Sequence, residues 1–192
     1  DIAYFPDTES YSYMLVAGFN ILYTRAYVNG FSMYPTLNEQ LSTTNKQDVI
    51  YISNFGKVQK NDIIVMDLRD HSNFGNFTIK RLIATAGDIV SIAIENGHYV
   101  LKVNDQLIYT KDFSDGLNTY DSFRAYAKSH LTETSRIVRL DNDNYGVKIH
   151  QGEVFVLGDN WNVSVDSSLV GPLNEKTVLG KVSFIIHSSQ NE

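Results

Sequence analysis

Cysteine is absent from this 192-residue chain, which excludes a disulfide frame, a thiol nucleophile and any cysteine-based metal site. Proline is scarce, at 3 residues, and only 20% of the chain is charged. With 43% hydrophobic and 12% aromatic residues, that scarcity excludes a disordered tail or low-complexity linker and leaves a packed globular protein. Basic residues are outnumbered, 16 to 22, for a net charge of -6, and they form no tract. A general affinity for nucleic acid needs clustered Lys and Arg and is therefore excluded. No apolar run reaches the ~20 residues that span a bilayer as a helix. The most apolar one, "MLVAGFNILY" (Met14 to Tyr23), is interrupted by Asn20 and reads as a buried or membrane-facing segment leading into the loop that follows.

Short β-branched runs bounded by turn residues make up most of the rest. They are "DVIYIS" (Asp48 to Ser53), "DIIVMDL" (Asp62 to Leu68), "FTIKRLIATAG" (Phe77 to Gly87), "IVSIAI" (Ile89 to Ile94), "GEVFVLGDN" (Gly152 to Asn160) and "GKVSFIIH" (Gly180 to His187). Asn96-Gly97 and Asn104-Asp105 each separate two apolar runs and predict tight hairpin turns. Between Lys111 and Tyr145 the text turns polar, and Tyr120, Phe123, Tyr126 and Ala127 fall at helical spacing. The expectation is a mainly β fold of coiled antiparallel sheets. Its core is expected from 1–94 and 146–192, with an inserted hairpin and helix-containing region at 95–145.

The five histidines, His71, His98, His130, His150 and His187, show no metal-ligand spacing, and none accompanies a serine motif. Ser32, in "GFSMYPTL" (Gly30 to Leu37), sits between bulky apolar residues with Gly30 before it and Pro35 after it. It reads either as a loop hydroxyl or as a held nucleophile that needs a base other than histidine. Lys80 is the candidate base. Period-2 alternation puts it on one strand face with Thr78, Leu82 and Ala84, and puts Arg81 on the other with Phe77, Ile79 and Ile83. Burial disfavours a charged ammonium and can bring a lysine into the range of a general base; a lysine snorkelling to the sheet edge is the plainer alternative.

Four segments taken in order, "GFSMYPTL", "NDIIVM", "IKRLIATAGD" and "GDNWNVSVDSSLVGPL", resemble the signature boxes of the bacterial type I signal peptidases. The resemblance runs from about Tyr27 to Ile186 and leaves the central insertion unmatched. It implies an endopeptidase that removes signal peptides from exported preproteins, with Ser32 as nucleophile and Lys80 as general base. The Ser32 backbone N–H would donate to the oxyanion, with Gly30 standing where many members place a further donor. Ser164 would hydrogen-bond the lysine amine, and Asp159 and Asp166 would be structural supports. Phe31, Met33, Pro35 and Leu82 would bind substrate, Met33 lining a dry cleft beside the lysine.

No metal or organic cofactor is implied. Partners would be preprotein signal peptides and, through an upstream anchor, the bacterial plasma membrane, with the catalytic domain on the extracytoplasmic side. Departures from the family pattern are Trp161 and Ser168 in place of arginines, Asn61 in place of glycine, and His187-Ser188 in place of an aromatic-proline ending. They point to a specialised enzyme, for pilin-like or other surface proteins. The contrasting readings are a non-enzymatic binding protein or chaperone of pilus assembly, which would have lost the serine and lysine, and a self-cleaving repressor-type protease, which would carry a helix-turn-helix before Ser32.

Overall fold

The computed structural model describes residues 22–141 and 143–188, apart from the side chains of Thr43 and Thr44. Most of the Met14 to Tyr23 run lies outside the described residues. Among those described, no helix is long and apolar enough to cross a membrane.

Among the described residues, twelve strands form two antiparallel sheets. The larger sheet comprises β1 (Tyr23–Tyr27), β2 (Val49–Ser53), β3 (Ile63–Asp67), β4 (Phe77–Thr85), β10 (Glu153–Leu157), β11 (Leu173–Asn174) and β12 (Val178–Ile186), in the order β1-β2-β12-β3-β4-β10-β11. It curls because β12 pairs with β3 along its first half and with β2 along its second, with irregularities at Val178/Gly180 and Val182/Phe184. Such extra residues raise the local twist. Curling brings β1 to β4 around one apolar interior, where Val28, Met33, Leu37, Ile50, Ile52 and Val65 form a cluster.

The smaller sheet holds β5 (Ile89–Glu95), β6 (His98–Val103), β7 (Gln106–Lys111), β8 (Ile137–Asp141) and β9 (Asn144–Lys148), in the order β7-β6-β5-β9-β8. Both expected hairpin turns are present. Asn96 and Gly97 have φ of 50° and 80°, and Asn104 and Asp105 have φ of 51° and 65°, the left-handed pairs that match the twist of a two-residue hairpin. Sheet membership divides the chain at Ile89 rather than at Glu95, because β5 pairs with β6 and β9 and with nothing in the larger sheet. An apolar strand looks the same in either sheet, and only its partners decide.

Helix α1 is a single turn, Leu41–Thr44, whereas α2 (Phe113–Ser129) is the long helix that the Tyr120/Phe123/Ala127 spacing predicts. Thr119, Tyr120, Phe123 and Ala127 are buried. Tyr120, Phe123 and Ala127 close a core shared with Val90, Ile92 and Val147 of the smaller sheet and with Ile83, Ala84, Phe155 and Leu157 of the larger. A short helix α3 (Ser167–Val170) follows β10.

In β4 the alternation holds from Phe77 to Leu82, with Thr78, Lys80 and Leu82 buried and Phe77, Ile79 and Arg81 not. Beyond Leu82 it fails. Opposite β10, Phe155 faces Ala84 and the next residue, Val156, faces Leu82, so Ile83 is an extra residue in the ladder. The bulge puts Ile83 and Ala84 into the same cluster and corrects the expectation that Ala84 lies on the Lys80 face.

Candidate active site

The Ser32 loop leaves β1 with Gly30 at φ 79°, a conformation natural to glycine. It turns through the Tyr34 N–H to Phe31 O bond (3.0 Å) and the Leu37 N–H to Met33 O bond (2.9 Å). Its base is stapled by Asn38, which is fully buried. The Asn38 side-chain amide donates to Val28 O (2.8 Å) and Gly30 O (2.9 Å), its Oδ1 accepts from the Asp48 N–H (2.8 Å), and its backbone N–H donates to Asp48 Oδ2 (2.8 Å). A buried amide with its groups so engaged fixes the loop in one geometry. Sequence reading passed over Asn38; its signal was an Asn immediately after the motif, where a left-handed residue (φ 60°) is needed.

Lys80 projects from β4 into the curled interior and is 4% exposed. Its Nζ lies 2.9 Å from Ser32 Oγ and 3.0 Å from Ile79 O. Burial draws the lysine pKa down from 10.5 to about 8, against the opposing pull of the Asp166 and Asp159 charges. The pair thus has the spacing for a proton to pass from hydroxyl to amine, and the amine is close to losing its charge near neutrality. Among the described residues no acceptor takes the Ser32 N–H.

The third part of the site is the turn after β10. Asn160 N–H donates to Ser32 O at 3.0 Å. Asp159 receives both arms of Arg81, Nε to Oδ1 at 2.8 Å and Nη2 to Oδ2 at 2.6 Å, and also the Thr36 hydroxyl. One carboxylate therefore ties the Ser32 loop to the residue next to Lys80, a bidentate arrangement that fixes orientation as well as distance. Arg81, Thr36 and Asn160 join the loop, β4 and the turn, contacts that the sequence left unassigned. The doublet Lys80-Arg81 was the available signal, since neighbours on a strand serve opposite faces.

Asp166, fully buried, accepts from Gly158 N–H (2.9 Å), Ser168 N–H (3.0 Å) and Ser168 Oγ (2.8 Å). It caps α3, and its donors are the backbone and serine groups available in a chain without the arginine. Ser164 departs from expectation. Its Oγ is buried with no hydrogen-bond partner, and it lies against Gly158, where an added Cβ would strike both that hydroxyl and the Ser32 carbonyl. The expected Ser164 to Lys80 bond is not made, and Ile79 O accepts from the amine instead.

A cleft of about 600 Å³ opens beside the pair, lined by Ser32 and Lys80 with Ile52, Val65, Ile79 and Val165 among its apolar walls. None of Phe31, Met33, Pro35 and Leu82 lines it, so the expected lining of the cleft by Met33 is not found. Met33 (1% exposed) points down into the core beneath the loop, and Leu82 (2%) packs with Ile64, Met66 and Val156. Pro35 borders a separate pocket with Arg81 and Asp159, and Phe31 is exposed. Flanking Ser32 in sequence does not put a side chain on its side of the loop.

The family described as signal peptidase, peptidase S26, matches residues 10–187. The chain belongs to this family. Relatives include a signal peptidase I of Bacillus licheniformis, 29% identical over 160 residues that cover 82% of this chain and 73% of that one. Signal peptidase I S of Bacillus subtilis is 27% identical over 169 residues, covering 88% and 79%. Signal peptidase IB of Staphylococcus aureus is 28% identical over 160 residues, covering 82% and 74%. A solved signal peptidase I from Enterococcus faecalis aligns with 67% of this chain and 99% of its own at a TM-score of 0.42 and 23% identity. Membership makes the protein a peptidase by family, with signal-peptide cleavage as the family's activity, and the curled antiparallel β fold is the one its motifs predicted.

Proposed function

We propose that the protein is a serine endopeptidase that cleaves signal peptides from exported preproteins with a Ser32–Lys80 dyad. The 2.9 Å approach of a buried lysine to the serine hydroxyl carries the reading. Neutral Lys80 accepts the Ser32 proton as Oγ attacks the scissile carbonyl, and the Ser32 N–H donates to the developing oxyanion. The resulting ammonium gives its proton to the leaving amine, the peptide C–N bond breaks, and an ester to Ser32 remains. Lys80, neutral again, takes a proton from the water that attacks this ester and returns it to Ser32 Oγ as the acid leaves, restoring the free enzyme. Asp159, Asp166 and Asn160 hold the geometry and take no proton. Phe77–Lys80 pair with β3 on one side, while β10 begins its pairing only at Arg81. A substrate lying extended in the cleft can add to that edge.

By family analogy the catalytic domain works outside the cytoplasm of a bacterium, tethered to the plasma membrane. Trp161 and Ser168, where arginines are usual, favour a specialised task such as processing pilin-like or other surface proteins. Incubation with a panel of preproteins tests the reading. Cleavage is expected from the unaltered protein, while Ser32→Ala and Lys80→Ala each lose at least ~10³-fold and the double variant loses no more, since the two act as a unit. Activity surviving in Lys80→Ala would remove the dyad. Equal rates across the panel would remove the specialisation, and no cleavage of any preprotein would favour a binding role.

A further inference from the structure

We propose that the long helix α2 positions the active-site turn, with Thr119 acting through the Trp161 carbonyl on Ser32 and Lys80. The proposal rests on the dyad reading above.

Thr119 is 1% exposed, and both of its donors go to one acceptor: its backbone N–H reaches Trp161 O at 3.1 Å and its Oγ reaches the same oxygen at 2.9 Å. Two more bonds join the same elements, Asn162 Nδ2 to Ser114 O at 2.5 Å and Asn118 Nδ2 to Asn162 O. The Trp161 ring, 2% exposed, is sunk in the core with Phe123, Phe155 and Leu157. One end of the turn is thus fastened to the helix. The other end reaches the chemistry, through Asn160 N–H on Ser32 O and through Asp159, clasped by Thr36 and by Arg81 beside Lys80. Packing alone needs apolar contact and tolerates sliding. Buried hydrogen bonds converging on one carbonyl do not, because each lost partner leaves a desolvated polar group.

The consequence is directional. If the turn swings away from α2, Asn160 releases the Ser32 carbonyl and the serine drifts from Nζ. Because a displacement near ~1 Å can cost ~10²-fold in rate, a bond remote from the substrate affects kcat rather than substrate binding. Loosening also hydrates Lys80; since burial is the dominant influence on its pKa, the rising limb of the rate profile moves to higher pH.

The test is steady-state cleavage of a signal-peptide substrate across pH by the unaltered protein, Thr119→Val and Thr119→Ser, with thermal melting measured alongside. Thr119→Val keeps the shape and removes the Oγ donor. Expected are a kcat lower by about tenfold or more, KM within about twofold, a limb displaced to higher pH, and recovery of most of both in Thr119→Ser. If Thr119→Val does not fold, Asn162→Ala should shift kcat and the limb in the same direction by less. A lower melting temperature with kcat per folded molecule and the pH limb unchanged would overturn the positioning role. An active unaltered protein with indistinguishable variants overturns this proposal alone, whereas an inert unaltered protein overturns the dyad reading and this proposal with it.

Discussion

At the scale of the residue, two groups set what the site can do. As the proposed base, Lys80 must be neutral to act, and its pKa of about 8 reflects burial outweighing the nearby Asp166 and Asp159 charges. The sign follows directly: below that pKa the amine is protonated and activity falls with decreasing pH, while above it the rate reaches a plateau. A profile of kcat/KM should therefore rise with a midpoint near 8. A limb that disappears when a histidine is replaced would assign the base elsewhere. Gly158 is the second group. Its Cα faces Ser164 Oγ and the Ser32 carbonyl so closely that no side chain fits. Gly158→Ala should cost about 1–3 kcal/mol of stability through overpacking and about 10²-fold in rate by moving Ser32, read by thermal melting and by cleavage kinetics. An active, equally stable Gly158→Ala would show that the turn has slack.

At the scale of the element, β4 carries Lys80 toward the cleft and Arg81 toward Asp159, and its Phe77–Lys80 edge pairs on one side with β3 only. In an extended peptide added there, side chains alternate, so the first and third residues before the cut face the apolar walls while the second faces out. Replacing small residues with bulky ones at the first and third positions should lower kcat/KM by about 10–10²-fold, and replacement at the second should change little. Equal sensitivity at all three positions, measured with matched peptides, would refute strand addition.

This is also the scale at which the sequence was most and least informative. The Asn96-Gly97 and Asn104-Asp105 turns and the long helix were legible because local φ preference and local periodicity specify them. The Ser32 and Lys80 pairing was legible through motif order. What decides whether Met33 and Leu82 meet the cleft or the core is the curl of a sheet assembled from strands as distant as β2 and β12, and no local pattern encodes it. Ser164 was misplaced for a related reason: its neighbour across the turn is Gly158, and close approach to a glycine is a tertiary fact.

At the scale of the whole molecule, segments distant in the chain are tied together at Asp48, which lies just before β2 and is 1% exposed. Its carboxylate accepts from the Asn38 N–H (2.8 Å), from the Ser188 N–H (2.8 Å) and pairs with His187 Nδ1 (2.9 Å). The exit of β12 is thereby joined to the base of the Ser32 loop, through the residues that replace the family's aromatic-proline ending. Burial pushes the Asp48 pKa up, but the hydrogen bonds from Ser188, Asn38 and His187 outweigh it and leave it below the ordinary carboxylate value. A depressed folded-state pKa means that the stabilisation is fully present above the unfolded pKa, ~3.9, and is lost as pH falls through the lower folded value. Asp48→Asn has no such titration and leaves buried N–H donors competing for one carbonyl oxygen, a cost of about 1–3 kcal/mol. The melting temperature of the unaltered protein should therefore exceed that of Asp48→Asn by a constant margin near neutrality, and the margin should shrink as the pH drops below ~3.9. Because Asn38 also holds Val28 O and Gly30 O, the variant should lose cleavage rate along with stability. A margin that does not vary with pH would mean that Asp48 contributes shape alone, and a stable loss with kinetics intact would mean that the tie at β12 does not reach Ser32.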